Sequence, residues 1–451
     1  MNALKIIAIL VVSVSIQACG LRMQNHYVKM RPHLVSGNYD AANEYLDLTK
    51  KSFYKSEKNR LLFFMDKAMV LNGAGRFKES NAYIEQAKIA AQELWTESVR
   101  ENIGALLTTD NALSYSGEDF ERVLIHFVGA LNHIGLGDYS AARVEARQIT
   151  NKLELYNQSH KGKRSAYKDD AFARWLAGKL AETEGGIQSL NDAWIDYKKA
   201  IKVYKTDYLQ RYGTAAPRLL MADALRVLNG LGADFNEEFD ALRKASPSAR
   251  FIVQSEKRKL GELVFIHLNG EAPFKRDMFW TAQADGDIIR VAYPQFIRKP
   301  HTIVSARVRL EGTKVSTKTE LVEDITAIAV ENLNDHMARI KAKAIARSIA
   351  KYIASKGVQA VGEKVGGDGG SLLQVAGVLM NWGSAIAEEA DKRSWITLPA
   401  AVNVGELYAK PGKYKAVIEY LDGRGQVVQT HSKEVVLKPG KTAFISHRTF
   451  Y

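Results

Sequence analysis

A short pattern that recurs three times in the N-terminal third of the chain sets the strongest limit on the fold. GNYDAANEYL begins at Gly37, GRFKESNAYI at Gly75 and GDYSAARVEA at Gly137. Each copy has glycine, any residue, an aromatic residue, two further residues, and then alanine or serine. Glycine suits the tight turn between two helices, and small residues one turn later let helices approach closely. The pattern therefore predicts a series of helical hairpins.

The best copy, residues 62–94, resembles a tetratricopeptide repeat, with one helix ending near Leu71 and a second helix after a glycine turn. Further copies are expected at residues 126–153, 174–204 and 219–242. The spacing is uneven compared with the ~34 residues of a strict array, so we expect an insertion or skipped helices near residues 92–110.

Stacked helical hairpins form a concave surface that binds other chains. Three aromatic residues of the repeats are candidates for this role: Phe77, Tyr83 and Tyr139. They either contact a partner or only pack between the helices, and the sequence leaves both interpretations open.

The composition changes near residue 255, from helical periodicity to alternating apolar segments with glycine turns. The alternation in TIVSARVRL and the DGRG turn predict antiparallel hairpins. We expect a tetratricopeptide-like helical solenoid over residues 19–255, followed by an antiparallel β-sandwich-like domain over 256–451. Its strands fall at about 261–310 and 395–450, and a helical insertion interrupts them at about 320–392.

The insertion carries one basic stripe, formed by Arg339, Lys343, Arg347 and Lys351 at four-residue spacing. It contacts lipid headgroups or an acidic partner, or it is the solvated face of a helix packed on the sheet. VGGDGG, at 365–370, is expected to be a flexible turn because it lacks the spacing of a phosphate-binding loop. The apolar residues 372–386 are expected to form a buried helix, with membrane insertion or an oligomer contact as the alternatives.

The first 18 residues have the layout of a signal peptide, with Lys5, an apolar run from Ile6 to Ile16, and a small residue at the end. The run is shorter than the ~20 residues that span a bilayer. Ile16-Gln17-Ala18-Cys19 resembles a bacterial lipoprotein box. This resemblance implies cleavage before Cys19, acylation of its thiol and new amino group, and a stable lipid anchor. Gly20, in place of aspartate, implies the outer membrane, on its periplasmic face.

The net charge of +13 indicates an affinity for anionic lipid, acidic polymer or nucleic acid, or simply a basic surface. Removal of Lys5 with the signal peptide leaves +12, and we expect no nucleic-acid partner. No zincin, hydrolase, dinucleotide or Walker motif is present, and the one cysteine excludes a cysteine-rich zinc site. We therefore predict no catalytic residues, no metal, no cofactor and no enzymatic activity.

Three C-terminal stretches, ADKRSWITLPA, IIRVAYPQF and PGKTAFISHRTF, resemble a family of bacterial lipoproteins with N-terminal helical repeats and a split β domain. Genes of this family often lie near lipoproteins like the penicillin-binding-protein activators or the curli-export subunit. The resemblance implies a role in envelope assembly but supplies no active site. Asp391, Arg393 and Trp395 are candidates either for partner binding or for packing between helix and sheet.

These observations predict an outer-membrane lipoprotein that acts as a scaffold for envelope proteins, with other lipoproteins among the candidate partners. The alternatives are direct binding of an acidic envelope polymer, such as peptidoglycan or lipopolysaccharide, or a role as a subunit of an export complex. The oligomeric state stays open.

Overall fold

The computed structural model describes residues 18–55, 57–100, 113–159, 167–284, 287–355 and 390–451. The predicted leader, the VGGDGG turn and the apolar segment 372–386 lie outside these residues, as does most of the stretch expected to be an insertion near 92–110. The backbones of Cys19 and Lys351 are described as helical, but their side chains are not.

The first half of the described chain is helical, as expected. Its elements are α1 (Ala18–Val35), α2 (Tyr39–Thr49), α3 (Arg60–Gly73), α4 (Phe77–Arg100), α5 (Asp119–Gly135), α6 (Tyr139–Ser159), α7 (Ala171–Glu184), α8 (Ile187–Val203), a π-helix (Tyr204–Tyr212), α9 (Arg218–Leu231), a 3-10 turn (Ala233–Phe235), α10 (Asn236–Ala245) and α11 (Gln254–Lys257).

Consecutive helices pair into hairpins, and each hairpin packs against the next along the chain. The turn glycines Gly37, Gly75 and Gly137 have φ values of 72°, 73° and 76°, a left-handed conformation that favours glycine. The third pair of hairpin helices begins late because α4 extends for 24 residues, to Arg100.

The described residues of the second half form three sheets. The strands are β1 (Gly261–Asn269), β2 (Phe274–Ala284), β3 (Asp287–Ile297), β4 (Ile303–Leu310), β5 (Ser316–Lys318), β6 (Glu320–Glu323), β7 (Ala401–Ala409), β8 (Gly412–Asp422), β9 (Val427–Leu437) and β10 (Thr442–Arg448). The inner sheet has the order β10-β1-β7-β6 and the outer sheet the order β5-β4-β8-β9, while β2 and β3 form a separate hairpin.

Three features of this half differ from the sequence expectation. β1 and β10 pair in parallel, with Val264 opposite Phe444, because β10 returns to the free edge of β1 from the far end of the chain. The predicted insertion begins with strand β6, and its described helix is α12 (Ile325–Ser355). Residues 395–400 precede β7 as an irregular, buried segment instead of a strand.

The inner sheet is buried on both faces, and it separates the helices from the outer sheet. β1 is buried at all nine positions. Its residues Leu263 and Phe265 share one hydrophobic core with Ile418 of the outer sheet. The alternate residues of β1, such as Val264, belong to the core formed with the helices. The molecule is therefore a three-layer structure in which strand β1 of the middle layer is covered on both faces.

The turn aromatic of one hairpin packs on a glycine of the next hairpin. A Cβ added at Gly135 of α5 would collide with the ring of Phe77, at the start of α4. We predict that Gly135→Ala lowers the free energy of unfolding by about 1–3 kcal/mol, because the ring and its helix must shift. Denaturant unfolding of the purified protein measures this change.

Gly423→Ala is the matched control, because no atom lies within 4 Å of the Cβ position at Gly423. It should change stability by less than about 0.5 kcal/mol. The packing argument is wrong if Gly135→Ala and Gly423→Ala have the same effect.

Candidate functional site

A group of charged side chains lies between the inner sheet and the helices. In the register of β1 with β7, Glu262 is opposite Tyr408 and Glu406 is opposite Val264. Both glutamates therefore point from the helix-facing side of the sheet toward α7 and α9. Lys179 and Glu182 of α7, with Asp223 and Arg226 of α9, complete the group, and all four are buried.

The ammonium group of Lys179 is the centre of this group. Its Nζ lies 2.8 Å from Asp223 Oδ1, 2.7 Å from Glu262 Oε1 and 2.7 Å from Glu406 Oε1. The contact with Glu406 is equally short but poorly directed for a hydrogen bond. Burial alone would lower the pKa of Lys179, but the three carboxylates outweigh it and raise that pKa.

The same three carboxylates are the best candidate for a metal site among the described residues. Their oxygens lie within 4.8 Å of one another, a separation that one cation can bridge. The Lys179 ammonium is at hydrogen-bond distance from all three, so it takes the position that a metal ion would need. The geometry therefore fits an internal counter-ion instead of a metal centre.

Two more basic residues, Arg226 and Lys257, bind these carboxyl groups and the neighbouring Glu182. Arg226 donates to Glu182 at 2.8 Å and to Asp223 at 2.5 Å. Lys257 Nζ bridges Glu182, at 2.8 Å, and Glu262, at 3.0 Å. The network thus holds three cations and four carboxyl groups.

The surplus carboxyl group is Glu406. Burial, and then the charge of Asp223, raise its pKa well above the usual range. Burial alone would raise the pKa of Glu262. The nearby cations Lys179 and Lys257 lower it by more, so the pKa of Glu262 is well below the usual range. With Glu406 protonated, the network is electrically neutral.

The segment 391–398 enters the helical array and makes a second polar junction there. Thr397 Oγ1 donates to Asp66 Oδ1 at 2.7 Å, and the Trp395 amide donates to Glu121 Oε1 at 2.7 Å. Burial raises the pKa of Asp66 to about 6 and that of Glu121 to about 7. Hydrogen bonds to the ionised forms offset part of the effect of burial.

The three C-terminal candidate residues all belong to this junction. Trp395 is 1% exposed. Arg393 pairs with Asp391 at 2.6 Å and donates to Asn59 Oδ1 at 2.9 Å, and its guanidinium lies 5.0 Å from the ring centre of Tyr115. In this structure their contacts join the β half of the chain to the helices.

The aromatic candidates of the repeats also make contacts within the molecule. Phe77 packs on Gly135 of the next hairpin. The half-buried Tyr83 lies 6.2 Å from the Phe63 ring, with Lys67 Nζ 5.4 Å from its own ring centre.

The third repeat aromatic meets the inner sheet instead of another hairpin. Tyr139 lies 5.2 Å from the Phe444 ring of β10 and donates to the Thr442 carbonyl at 3.3 Å. Phe77 and Tyr139 occupy the same position of the repeat pattern, but Phe77 packs on a helix of the next hairpin and Tyr139 packs on a strand.

The predicted basic stripe on α12 is only partly a surface. Arg339 is exposed, Lys343 is half-buried and Arg347 is buried at 4% exposure. The structure thus differs from a uniform basic face at Arg347.

A third cluster surrounds the π-helix, where Tyr204 and Tyr208 point inward. Tyr208 donates to the Glu323 carboxyl at 3.0 Å, and Tyr204 donates to the Val322 carbonyl at 2.7 Å. Burial, and then the charge of Asp170, raise the pKa of Glu323 well above its usual range. Burial also raises the pKa of Asp170, so both buried carboxyl groups favour the protonated form more than a solvated carboxyl group does.

Sequence reasoning did not find Lys179, Glu262 or Glu406. The available signal was an acidic residue in each of two apolar strands, GELVFIH and AVNVGELY, and a lysine within the apolar helix FARWLAGKLAE. Charged residues at positions expected to be buried indicate a paired network, because isolated buried charges are too costly.

The chain matches no protein-family model, and comparisons with characterised proteins and with solved structures gave no significant match. Within the described ranges, no helix is both long enough and apolar enough to cross a bilayer.

We predict that Lys179→Ala lowers the free energy of unfolding by about 3–5 kcal/mol, because three buried carboxyl groups then lose their counter-ion. Calcium should recover part of the loss in this variant, since oxygen ligands suit it. Thermal unfolding with and without CaCl₂ measures both effects.

Glu406→Gln is the matched control for that variant. Its effect should be much smaller, because burial raises the pKa of Glu406 and favours its neutral form, and the amide oxygen of glutamine still faces Lys179. Equal destabilisation by the two substitutions would contradict the assignment of charges.

Glu323 gives the folded chain a dependence on pH. Its pKa is raised in the folded state, so the folded chain binds a proton that the unfolded chain releases above pH ~4.3. The stability from this group is full below that pH and falls as pH rises, by at most ~1.4 kcal/mol per pH unit. Glu323→Gln should therefore flatten the decline in a series of urea unfolding curves between pH 4 and pH 8.

Glu320→Gln is the control on the same strand, where Glu320 accepts a hydrogen bond from the Arg218 amide at the surface. It should leave the slope unchanged. A slope that is equally steep in Glu323→Gln and in the wild type would show that Glu323 ionises normally.

Proposed function

We propose that this chain is an acylated, outer-membrane-anchored periplasmic protein that acts as a scaffold for other envelope proteins. In this proposal the helical hairpins form a tetratricopeptide-like array, and the inner and outer sheets form a β-sandwich-like domain. The role is recognition and tethering, with no catalytic step.

The lipoprotein box at Cys19 carries the proposal, together with its distance from the folded body. Cys19 lies near the start of α1, and His26 and Tyr27 are the first buried residues among the side chains of that helix that the structure describes. Seven helical residues span only ~10 Å. An acyl group on Cys19 would therefore hold the folded body directly at the membrane surface.

The inner side of the array is filled by the chain's own β half, so a partner would bind elsewhere. Arg31 of α1 pairs with Glu271 at 2.6 Å, and the junctions at Trp395 and Lys179 occupy the middle of this side. Recognition of another protein is therefore assigned to the outer face, which the second helix of each hairpin provides.

The outer face carries one exposed apolar residue on each of three successive hairpins. Leu48 of α2 is 75% exposed, Ile89 of α4 is 60% exposed and Val144 of α6 is 56% exposed. Counted from the preceding turn glycine, the three positions fall on the same face of a helix with 3.6 residues per turn. Aligned apolar residues on adjacent hairpins support a protein-binding surface.

Crosslinking and mass spectrometry of native envelopes test the proposal with three variants. Cys19→Ala should lose palmitate labelling and separate from the membrane fraction. Leu48→Glu with Ile89→Glu should keep the label but lose the crosslinked proteins, because charge on the outer face opposes apolar contact. Val428→Glu, at a 46% exposed position of β9, is the matched control and should keep both.

Two results would contradict the proposal separately. Palmitate labelling that persists in Cys19→Ala would contradict the proposal that Cys19 carries the lipid anchor. If the Leu48/Ile89 variant crosslinks to the same proteins as the unmodified protein does, the outer face is not the scaffold surface.

A further inference from the structure

The exposed side of α8 and of the π-helix that follows it is unusually rich in lysine. It carries six residues, which we call the lysine face: Ile195, Lys198, Lys199, Lys202, Lys205 and Leu209. Each of them is exposed. The apolar members are 42% and 53% exposed, respectively, so neither is part of the core.

The positions of the lysine face recur at intervals of three or four residues and form one continuous strip. The opposite side of α8 is buried through Trp194, Tyr197 and Ile201. From Ile195 to Leu209 the strip is ~20 Å long at the rise of a helix. It is therefore a continuous exposed ridge, fixed in place by a buried inner side.

The π-helix lets this ridge continue past the end of α8. Its wider turn keeps Tyr204, Tyr208 and Tyr212 buried at a spacing of four residues. Lys205 and Leu209, each next to one of these tyrosines, remain on the outside. The ridge is thus longer than α8 alone.

Little negative charge balances the lysine face. Lys198 has only a 3.9 Å contact with Glu238. Asp207 pairs with two basic residues outside the ridge, Lys168 at 3.7 Å and Arg211 at 3.8 Å. Within the described parts of the chain, Lys199, Lys202 and Lys205 form no ion pair. Like charges held together repel each other, and no contact within the fold requires these three lysines.

We propose that the lysine face docks on an anionic phospholipid surface. Lysines would contact the lipid phosphates, while Ile195 and Leu209 would enter the headgroup layer. The two apolar residues lie in line with the lysines, which suits a layered surface of phosphate above hydrocarbon. A purely polar anionic polymer would use the lysines alone. An exposed helical ridge can also lie on a bilayer surface along its length.

This contact goes beyond the acyl anchor and does not require it. The hairpins stack in chain order from α1 to α8, so an array lying along the bilayer would bring both of its ends to the surface. The contact also differs from the basic stripe expected on α12, where Arg347 is buried. On α8 the lysines are all exposed.

Vesicle sedimentation of the chain from residue 19 onward, produced without its leader and with Cys19→Ala, tests the proposal. The probes are vesicles of phosphatidylglycerol mixed with phosphatidylcholine, and vesicles of phosphatidylcholine alone. Binding should be confined to the anionic vesicles and should fall with added salt. Lys199→Gln with Lys202→Gln should weaken partition by roughly 30-fold, at about fivefold for each lysine near the surface.

Lys410→Gln with Lys413→Gln is the matched control, because it removes the same charge from exposed positions at the start of β8. It should bind as the unmodified protein does. Leu209→Ser should weaken binding without changing charge. All the substituted positions are at the surface, so the unfolding temperature should be preserved.

Three results would overturn the proposal. The first is equal binding by the Lys199/Lys202 variant and the control. The second is the same binding to neutral and anionic vesicles. The third is no binding to vesicles with salt-sensitive binding to purified peptidoglycan, which would assign the lysine face to a polymer. Because the protein is not acylated, none of these outcomes depends on Cys19.

Discussion

The contact that joins the two halves of this chain is the ammonium of Lys179 among three carboxyl groups. Its partners come from α9, β1 and β7, so the group is complete only when the helices and the inner sheet are docked. An arrangement that keeps these groups buried but leaves any of them without its partner is strongly unfavourable, because a buried charge needs a counter-charge. The composition change near residue 255 is therefore a boundary between secondary-structure types that share one buried polar interface.

Local sequence signals predicted the local structure well. Glycine turns predict hairpins because a single glycine is enough to allow the left-handed backbone conformation. Alternating segments predict strands because successive side chains of a strand point to opposite faces of the sheet, so every second residue is apolar when one face is buried. The helical first half and the mixed second half follow directly. The bounds of individual elements, such as the long α4 and the short β6, depend on packing that no local pattern contains.

The candidate site could not be predicted because its members are far apart in the chain. Lys179, Asp223 and Glu406 meet only after β1 has paired with β7 and the sheet has docked on the helices. A charged residue in an apolar strand signals that a partner exists but does not identify it. The parallel pairing of β10 with β1 is hidden for the same reason.

The distribution of charge between interior and surface explains how a basic chain can contain a neutral core. Inside, Arg226 and Lys257 meet Glu182, and a proton on Glu406 removes the remaining imbalance. The excess positive charge is thus left to the surface, where folding imposes no requirement to pair it. Packing determines the buried side of α8 and of the π-helix, where the tyrosines lie. It does not determine which residues occupy the exposed side, so the fold alone does not explain why lysines are concentrated there. Lysines that the fold leaves unpaired are the part of the net charge that is available for binding.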